Sequence, residues 1–171
     1  MMSKPTIRPS VRDPFEILLQ DHAEFLKHLI ILKNATDNIK SNGFSYEAFE
    51  EIAESAQYID KEIREHNLKE EKYLFPLIER HVDGPPNVMM NEHRELWRAF
   101  KTLTDCVKEI EDLHVNGTSV PTLIRTAHYI VSLLEEHMRK ENDVLFPMAK
   151  RVLTPKEYQQ LMEDLNKATV S

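Results

Sequence analysis

Two stretches of the chain carry the same pair of chemistry-bearing residues at the same spacing, His66-x-x-x-Glu70 and His137-x-x-x-Glu141. Residues four apart stand on one face of a helix, so in each pair an imidazole nitrogen and a carboxylate reach one point beside that helix. A further histidine precedes each pair, His22 before the first and His93 before the second. Imidazoles combined with carboxylates that can bridge are the donor set of a two-metal centre inside a helical bundle. Six protein ligands on two metals leave coordination positions open for exogenous ligands. Nitrogen and oxygen donors without Cys suit iron or manganese better than a closed tetrahedral zinc site.

A lone His-x-x-x-Glu on a charged helix is ordinarily a solvated surface pair. An internal repeat takes these two pairs out of that class. A shift of 71 residues superposes His22 on His93, His66 on His137 and Glu70 on Glu141. It also superposes Tyr58-Ile59 on Tyr129-Ile130 and Leu74-Phe75-Pro76 on Leu145-Phe146-Pro147. Residues 15–83 against 86–154 give 15 identities in 69 positions without a gap. Polar side chains retained at such positions in a core with no metal would each cost about 1–3 kcal/mol for want of a partner. The other four histidines, His28, His81, His114 and His128, have no counterpart under the shift and are expected at the surface or rim. Tyr58 and Tyr129 are expected as core aromatics, with an outer hydrogen bond to the site or a channel role as the alternative, and Glu24 and Glu95 as exposed charges.

Four long helices must position these residues. Apolar residues at Phe15, Leu18, Leu19, Phe25, Leu29 and Leu32 recur at helical steps and predict a helix from about Pro14 to Lys40, with Asp13 as its N-cap and Asn42-Gly43 as its stop. The second is predicted from Ser45 through Ile52, Ile59 and Ile63 to about His81, where Asp83-Gly84-Pro85-Pro86 breaks the chain. The third spans about Asn87 to Leu113, with Leu96, Phe100, Leu103, Val107 and Ile110 on one face, and stops at Asn116-Gly117. The fourth runs from about Pro121 to Leu153 and carries Leu123, Ile130, Leu134, Leu145 and Phe146. Pro76 and Pro147 should kink or end the regular helix just beyond the site. Thr154-Pro155-Lys156-Glu157 reads as a capping box that opens a short tail helix. The fold class is therefore all-α: an up-down-up-down four-helix bundle over residues 13–153 built from a duplicated hairpin, with an extended N-terminal arm at 1–12 and a C-terminal helix at 154–171.

Composition agrees and removes several classes of function. At 171 residues with 41% hydrophobic residues, 30% charged residues and 3 Gly, the chain fits one helical domain. A net charge of −7 and no basic stripe argue against nucleic acid or an anionic membrane surface as partner. The single Cys106 asks for no oxidising compartment, Met1 to Arg12 lacks an apolar core of signal-peptide length, and no apolar run reaches the ~20 residues of a membrane span. These features predict a cytoplasmic protein.

His22, then His66-x-x-x-Glu70 with Leu74-Phe75-Pro76, then His93, then His137-x-x-x-Glu141 with Leu145-Phe146-Pro147, together resemble the hemerythrin-like (HHE cation-binding) family over about residues 13–153. The resemblance implies a non-haem di-iron centre, oxo- or hydroxo-bridged, with His22, His66, Glu70, His93, His137 and Glu141 as ligands and the two glutamates bridging; manganese or zinc are alternative metals. Oxygen-carrying members use a second histidine one turn after the third-helix ligand, and here that position is Trp97, with Leu26 as its repeat mate. The departure implies a symmetric site, as in the branch tied to oxygen or nitric-oxide sensing and to repair of iron centres, and speaks against reversible oxygen transport. Repair proteins of that branch also carry a small N-terminal Cys-containing domain, which a 12-residue arm without Cys would not supply. The function implied is a di-iron protein binding oxygen, peroxide or nitric oxide for sensing, detoxification or iron handling. Its alternatives are a reversible oxygen or iron store, or an iron-dependent regulatory module.

Overall fold

The computed structural model describes residues 11–112 and 117–169, and among these every regular element is helical. Helix α1 covers Pro14–Asn42; Asp13 caps it by accepting hydrogen bonds from the Phe15 and Glu16 N–H groups, and Gly43 ends it at φ +90°, where a side chain would be strained. Helix α2 (Tyr46–Lys69) starts on Ser45, whose hydroxyl accepts from the Ala48 N–H. A π-helical turn, Glu70–Leu74, and the short α3 (Phe75–Ile78) continue it. The second half repeats the pattern with α4 (Pro85–Glu111), α5 (Ser119–Lys140), a π-helical turn at Glu141–Leu145 and α6 (Phe146–Val152). Helix α7 (Pro155–Thr169) closes the described chain.

The four long helices form a square in which α1 adjoins α2 and α5, and α4 adjoins α5 and α2. His22, early in α1, meets His66, late in α2, so the hairpin is antiparallel; His93 and His137 show the same for α4 and α5. This is the up-down-up-down bundle that the duplicated hairpin predicts. The heptad-like stripes are buried as expected, with the exception of Leu19, which is 40% exposed. None of the described helices is long and apolar enough to cross a membrane.

The buried apolar residues fall into two clusters. One fills the body of the bundle between Phe25, Ile59, Phe100 and Leu134; the other joins Phe15, Leu18, Phe75, Met89 and Phe146 to Leu161 and Leu165 of α7. The six candidate ligands form a polar layer between them, because the clusters carry the flanking turns of the same four helices. Helix α7 is thus part of the core. Its Tyr158 hydroxyl donates to the Asp13 cap, Asn166 pairs with the Arg12 backbone in both directions, and Thr154 and Glu157 form the expected capping box. Of the expected arm, residues 1–10 lie outside the described residues, as do Leu113, His114, Asn116 and the last two positions.

The prolines act differently from the expectation. Regular α geometry gives way at Glu70 and Glu141, six residues before Pro76 and Pro147, and the helix resumes through each proline. A proline ring clashes with the carbonyl four residues back in an α-helix. Widening the preceding turn, so that the Phe75 and Phe146 N–H groups reach back five residues to the Glu70 and Glu141 carbonyls, relieves that clash at Lys72 and Asp143.

Two outcomes follow for α7. Leu161→Ala or Leu165→Ala, each emptying a fully buried position, is expected to cost about 2–5 kcal/mol in chemical denaturation. The Thr154 N–H, the His81 ring and the Thr154 hydroxyl hold the Glu157 carboxyl down at about 2, below its ordinary 4.5. A depressed folded value means that this contact is complete above about 4.5 and is lost as pH falls toward 2. Hydrogen exchange along 155–169, corrected for intrinsic rates, should speed up across that window in the native chain and lose the dependence in Glu157→Gln.

Candidate metal centre

All six candidate ligands are buried, none more than 2% exposed, and they converge. One donor atom each from Glu70, His93, His137 and Glu141 lies within 4.8 Å of the others, and one each from His22, His66 and Glu141 forms a second group of the same width. The Nε2 atoms face inward: His22 Nε2 is 3.0 Å from His66 Nε2, and the rings of His93 and His137 are 4.9 Å apart between centroids. Each glutamate divides its two oxygens between the histidine pairs. Glu70 sets Oε1 3.5 Å from His66 Nε2 and Oε2 3.5 Å from His93 Nε2. Glu141 sets Oε2 3.2 Å from His22 Nε2 and Oε1 3.1 Å from His137 Nε2.

The Nδ1 edges face outward, and each Nδ1–H has an acceptor: Asp21 for His66 at 3.1 Å, Glu92 for His137 at 3.0 Å, Glu71 for His93 at 2.8 Å and the Asn142 amide oxygen for His22 at 2.8 Å. This orients the rings and turns Nε2 to the interior, where in the neutral imidazole it carries the lone pair. Lys69 and Lys140 hold the Asp21 and Glu92 carboxylates from the outside. Phe75 stacks on His93 and Phe146 on His22, with ring planes 21° and 19° apart, so the repeated Leu-Phe-Pro supplies a wall for the partner hairpin's imidazole.

Whether these residues fit a metal is tested by what they lack. Both oxygens of Glu70, both of Glu141, and the Nε2 atoms of His93 and His137 are buried without a hydrogen-bond partner. Buried acceptors in that number are otherwise uncommon, and a pair of dications would satisfy all of them. The charge balance points the same way. Burial alone pushes the His66 and His137 imidazoles down, yet Glu70 and Asp21 raise the first to about 9, and Glu141 and Glu92 raise the second to about 10. His93 is also raised: burial opposes this, but the Glu141 and Glu70 carboxylates outweigh it. Burial likewise raises Glu141, but His137, His22 and His93 hold it well below the ordinary carboxylate value. The layer draws positive charge to its centre.

Of the histidines without repeat mates, the three described lie away from the centre. His28 stacks on Tyr58, His81 binds Glu157 and His128 binds Asp37, while His114 is outside the described residues. Tyr129 is 46% exposed and donates to Glu95, so it is neither core nor a partner of the site; Tyr58 packs partly buried against the main core. Trp97 stands half-buried four residues after His93 with the Arg64 guanidinium 5.4 Å from its ring centroid, and its indole N–H is buried without a partner. Sequence reasoning missed the outer acceptors Asp21, Glu71, Glu92 and Asn142. Their signal was present, since Asp21 and Glu92 coincide under the 71-residue shift, as do Glu71 and Asn142. It missed Asn67 as well, whose wholly buried amide has no partner and which sits three residues before Glu70.

Residues 13–151 match the model of the hemerythrin HHE cation-binding domain. The chain belongs to that family. Among its relatives are proteins named iron-sulfur cluster repair protein YtfE. The one from Edwardsiella ictaluri is 28% identical over 138 residues, which are 76% of this chain and 60% of that protein. The one from Enterobacter sp. is 30% identical over 135 residues, 75% of this chain and 59% of that protein. The Salmonella typhimurium protein is 30% identical over 95 residues, 53% of this chain and 43% of its own length. This hemerythrin-like chain thus spans at most about six-tenths of the length of these relatives. For a cation-binding domain of this kind, His66→Ala and Glu141→Ala should lower bound metal, measured by plasma mass spectrometry, while His81→Ala, at the bundle rim, should retain it. Equal metal content in all three would refute these two residues as ligands.

Proposed function

We propose that this hemerythrin-like chain is a non-haem di-iron protein in which His22, His66, Glu70, His93, His137 and Glu141 hold two iron ions with the glutamates bridging. Its open positions take oxygen, peroxide or nitric oxide, in sensing, detoxification or iron handling. One observation carries this reading above the others: each buried glutamate directs one oxygen to each histidine pair, the disposition that a carboxylate bridging two metals requires. Iron rather than zinc is favoured by an imidazole and carboxylate donor set without thiolates. The names of the relatives, iron-sulfur cluster repair proteins, support a role in iron handling. We take the protein to be cytoplasmic, with small diatomic molecules or peroxide as partners and no nucleic acid.

Bound iron would supply reversible electron transfer and coordination of a small exogenous ligand. The chain's own residues set the conditions for it. The Nδ1 acceptors hold the imidazoles in place. The two apolar clusters keep bulk water from the layer, which strengthens every charge interaction inside it. Asn67 lies three residues before Glu70 on α2, and Trp97 four residues after His93 on the neighbouring α4. Both offer buried, unpartnered hydrogen-bonding groups, suited to a polar small ligand or water.

Anaerobically purified protein supplemented with ferrous iron is expected to hold two iron ions per chain and to change its visible spectrum under nitric oxide and under air. No iron after supplementation would overturn the proposal. Repeated oxygenation and deoxygenation with unchanged spectra would instead identify a reversible store.

A further inference from the structure

The outer contacts of the metal layer repeat in position but not in charge. Under the 71-residue shift Asp21 corresponds to Glu92 and Lys69 to Lys140, and the structure keeps both: carboxylate to imidazole Nδ1, backed by a lysine, at His66 and at His137. The remaining pair breaks the symmetry. Glu71 accepts from His93 Nδ1 at 2.8 Å, whereas its counterpart Asn142 accepts from His22 Nδ1 at the same 2.8 Å through a neutral amide. The geometry is conserved across the two halves and the charge is not. Among the described residues Glu71 has one ion pair with a Lys or Arg, to the half-exposed Arg94 guanidinium at 3.9 Å, a long contact that offsets the carboxylate only in part.

We propose that Asn142 and Glu71 make the two metal positions unequal: the His93–His137 position binds a divalent metal more tightly, and the His22–His66 position is the one filled second and emptied first. This rests on the ligand set proposed above. An imidazole whose Nδ1–H is held by a carboxylate carries more electron density on Nε2 than one held by an amide, and is the better donor to a cation. The carboxylate also adds a negative charge beside the buried layer, where partial burial, at 18% exposure for Glu71, leaves it only partly screened by water. The His93–His137 position has two such carboxylates, Glu71 and Glu92, and the His22–His66 position has one, Asp21. Both first-layer glutamates face both positions, so they do not offset the imbalance. A di-iron protein with one labile position can release or take up a single iron while its fold stays pinned by the other, and Asn142 is the positioning residue that sets which one moves.

The test is a stepwise titration of the full-length apoprotein with ferrous ion under nitrogen, followed by calorimetry, in the native chain, Asn142→Asp and Glu71→Gln. The native chain should bind two ions in two resolved steps. Asn142→Asp should tighten the weaker step by about tenfold and draw the steps together, and Glu71→Gln should weaken the tighter step by about tenfold or more. With one equivalent of zinc as a diamagnetic probe, the imidazole nitrogen resonances of His93 and His137 should shift before those of His22 and His66 in the native chain. Thermal unfolding of each apoprotein separates a structural effect from this one, because a merely structural role would lower both steps together. Two ions bound with equal affinity, or an unchanged ratio of the steps in both variants, would overturn the inequality while leaving the di-iron site standing. Failure of the native chain to bind any iron would overturn the site itself. If Asn142→Asp does not fold, Glu71→Gln decides alone.

Discussion

Two carboxylates buried side by side between apolar layers are the constraint around which this molecule is arranged. Glu70 and Glu141 have no hydrogen bond of good geometry to their oxygens, and taking a carboxylate out of water costs several kcal/mol that neighbouring charge must offset. The four imidazoles supply nearby positive charge when protonated, and a pair of metal ions would supply more. Everything adjacent serves that arrangement: Phe75 and Phe146 wall the imidazoles, Asp21, Glu71, Glu92 and Asn142 orient them, and the second apolar cluster with α7 closes the end of the bundle above them.

The π-helical turns show how the backbone accommodates this. In each half the regular helix yields at the glutamate itself, and the extra residue in the turn alters the register of everything that follows. That shift carries Phe75 and Phe146 onto the imidazoles of the opposite hairpin while the prolines just after them continue the helix. Such turns are frequent at functional sites, where they trade regular hydrogen bonding for the placement of one side chain. Here the same device appears twice, as a duplicated hairpin requires.

Much of the bundle was legible in the sequence. The apolar stripes named four helices, the Asp13 cap, the start near Ser45 and Gly43 marked boundaries, and the 71-residue repeat singled out His22, His66, Glu70, His93, His137 and Glu141 from the other polar residues. The boundaries that moved did so for local reasons. The second helix ends at Ile78 rather than near His81, and the third starts at Pro85 rather than Asn87 because proline suits the first turn of a helix. Leu19 and Tyr129 were harder to place, since periodicity assigns a face but not how far the neighbouring helix extends over it.

Residue types and spacing therefore determined the helices, their antiparallel pairing and the membership of the polar layer, because helix periodicity and a retained duplication are properties of the chain in one dimension. Tertiary structure alone decided which atoms face which. The division of each carboxylate between two histidine pairs, the outward turn of every Nδ1 to its own acceptor, and the burial of α7 against Asp13 all depend on contacts between residues 22 to 154 positions apart. Such contacts follow from the angle at which helices cross and the register at which they meet. Neither is written in the pattern of any single helix, so the unequal charge of Glu71 and Asn142 acquires meaning only once both are seen to hold equivalent imidazoles.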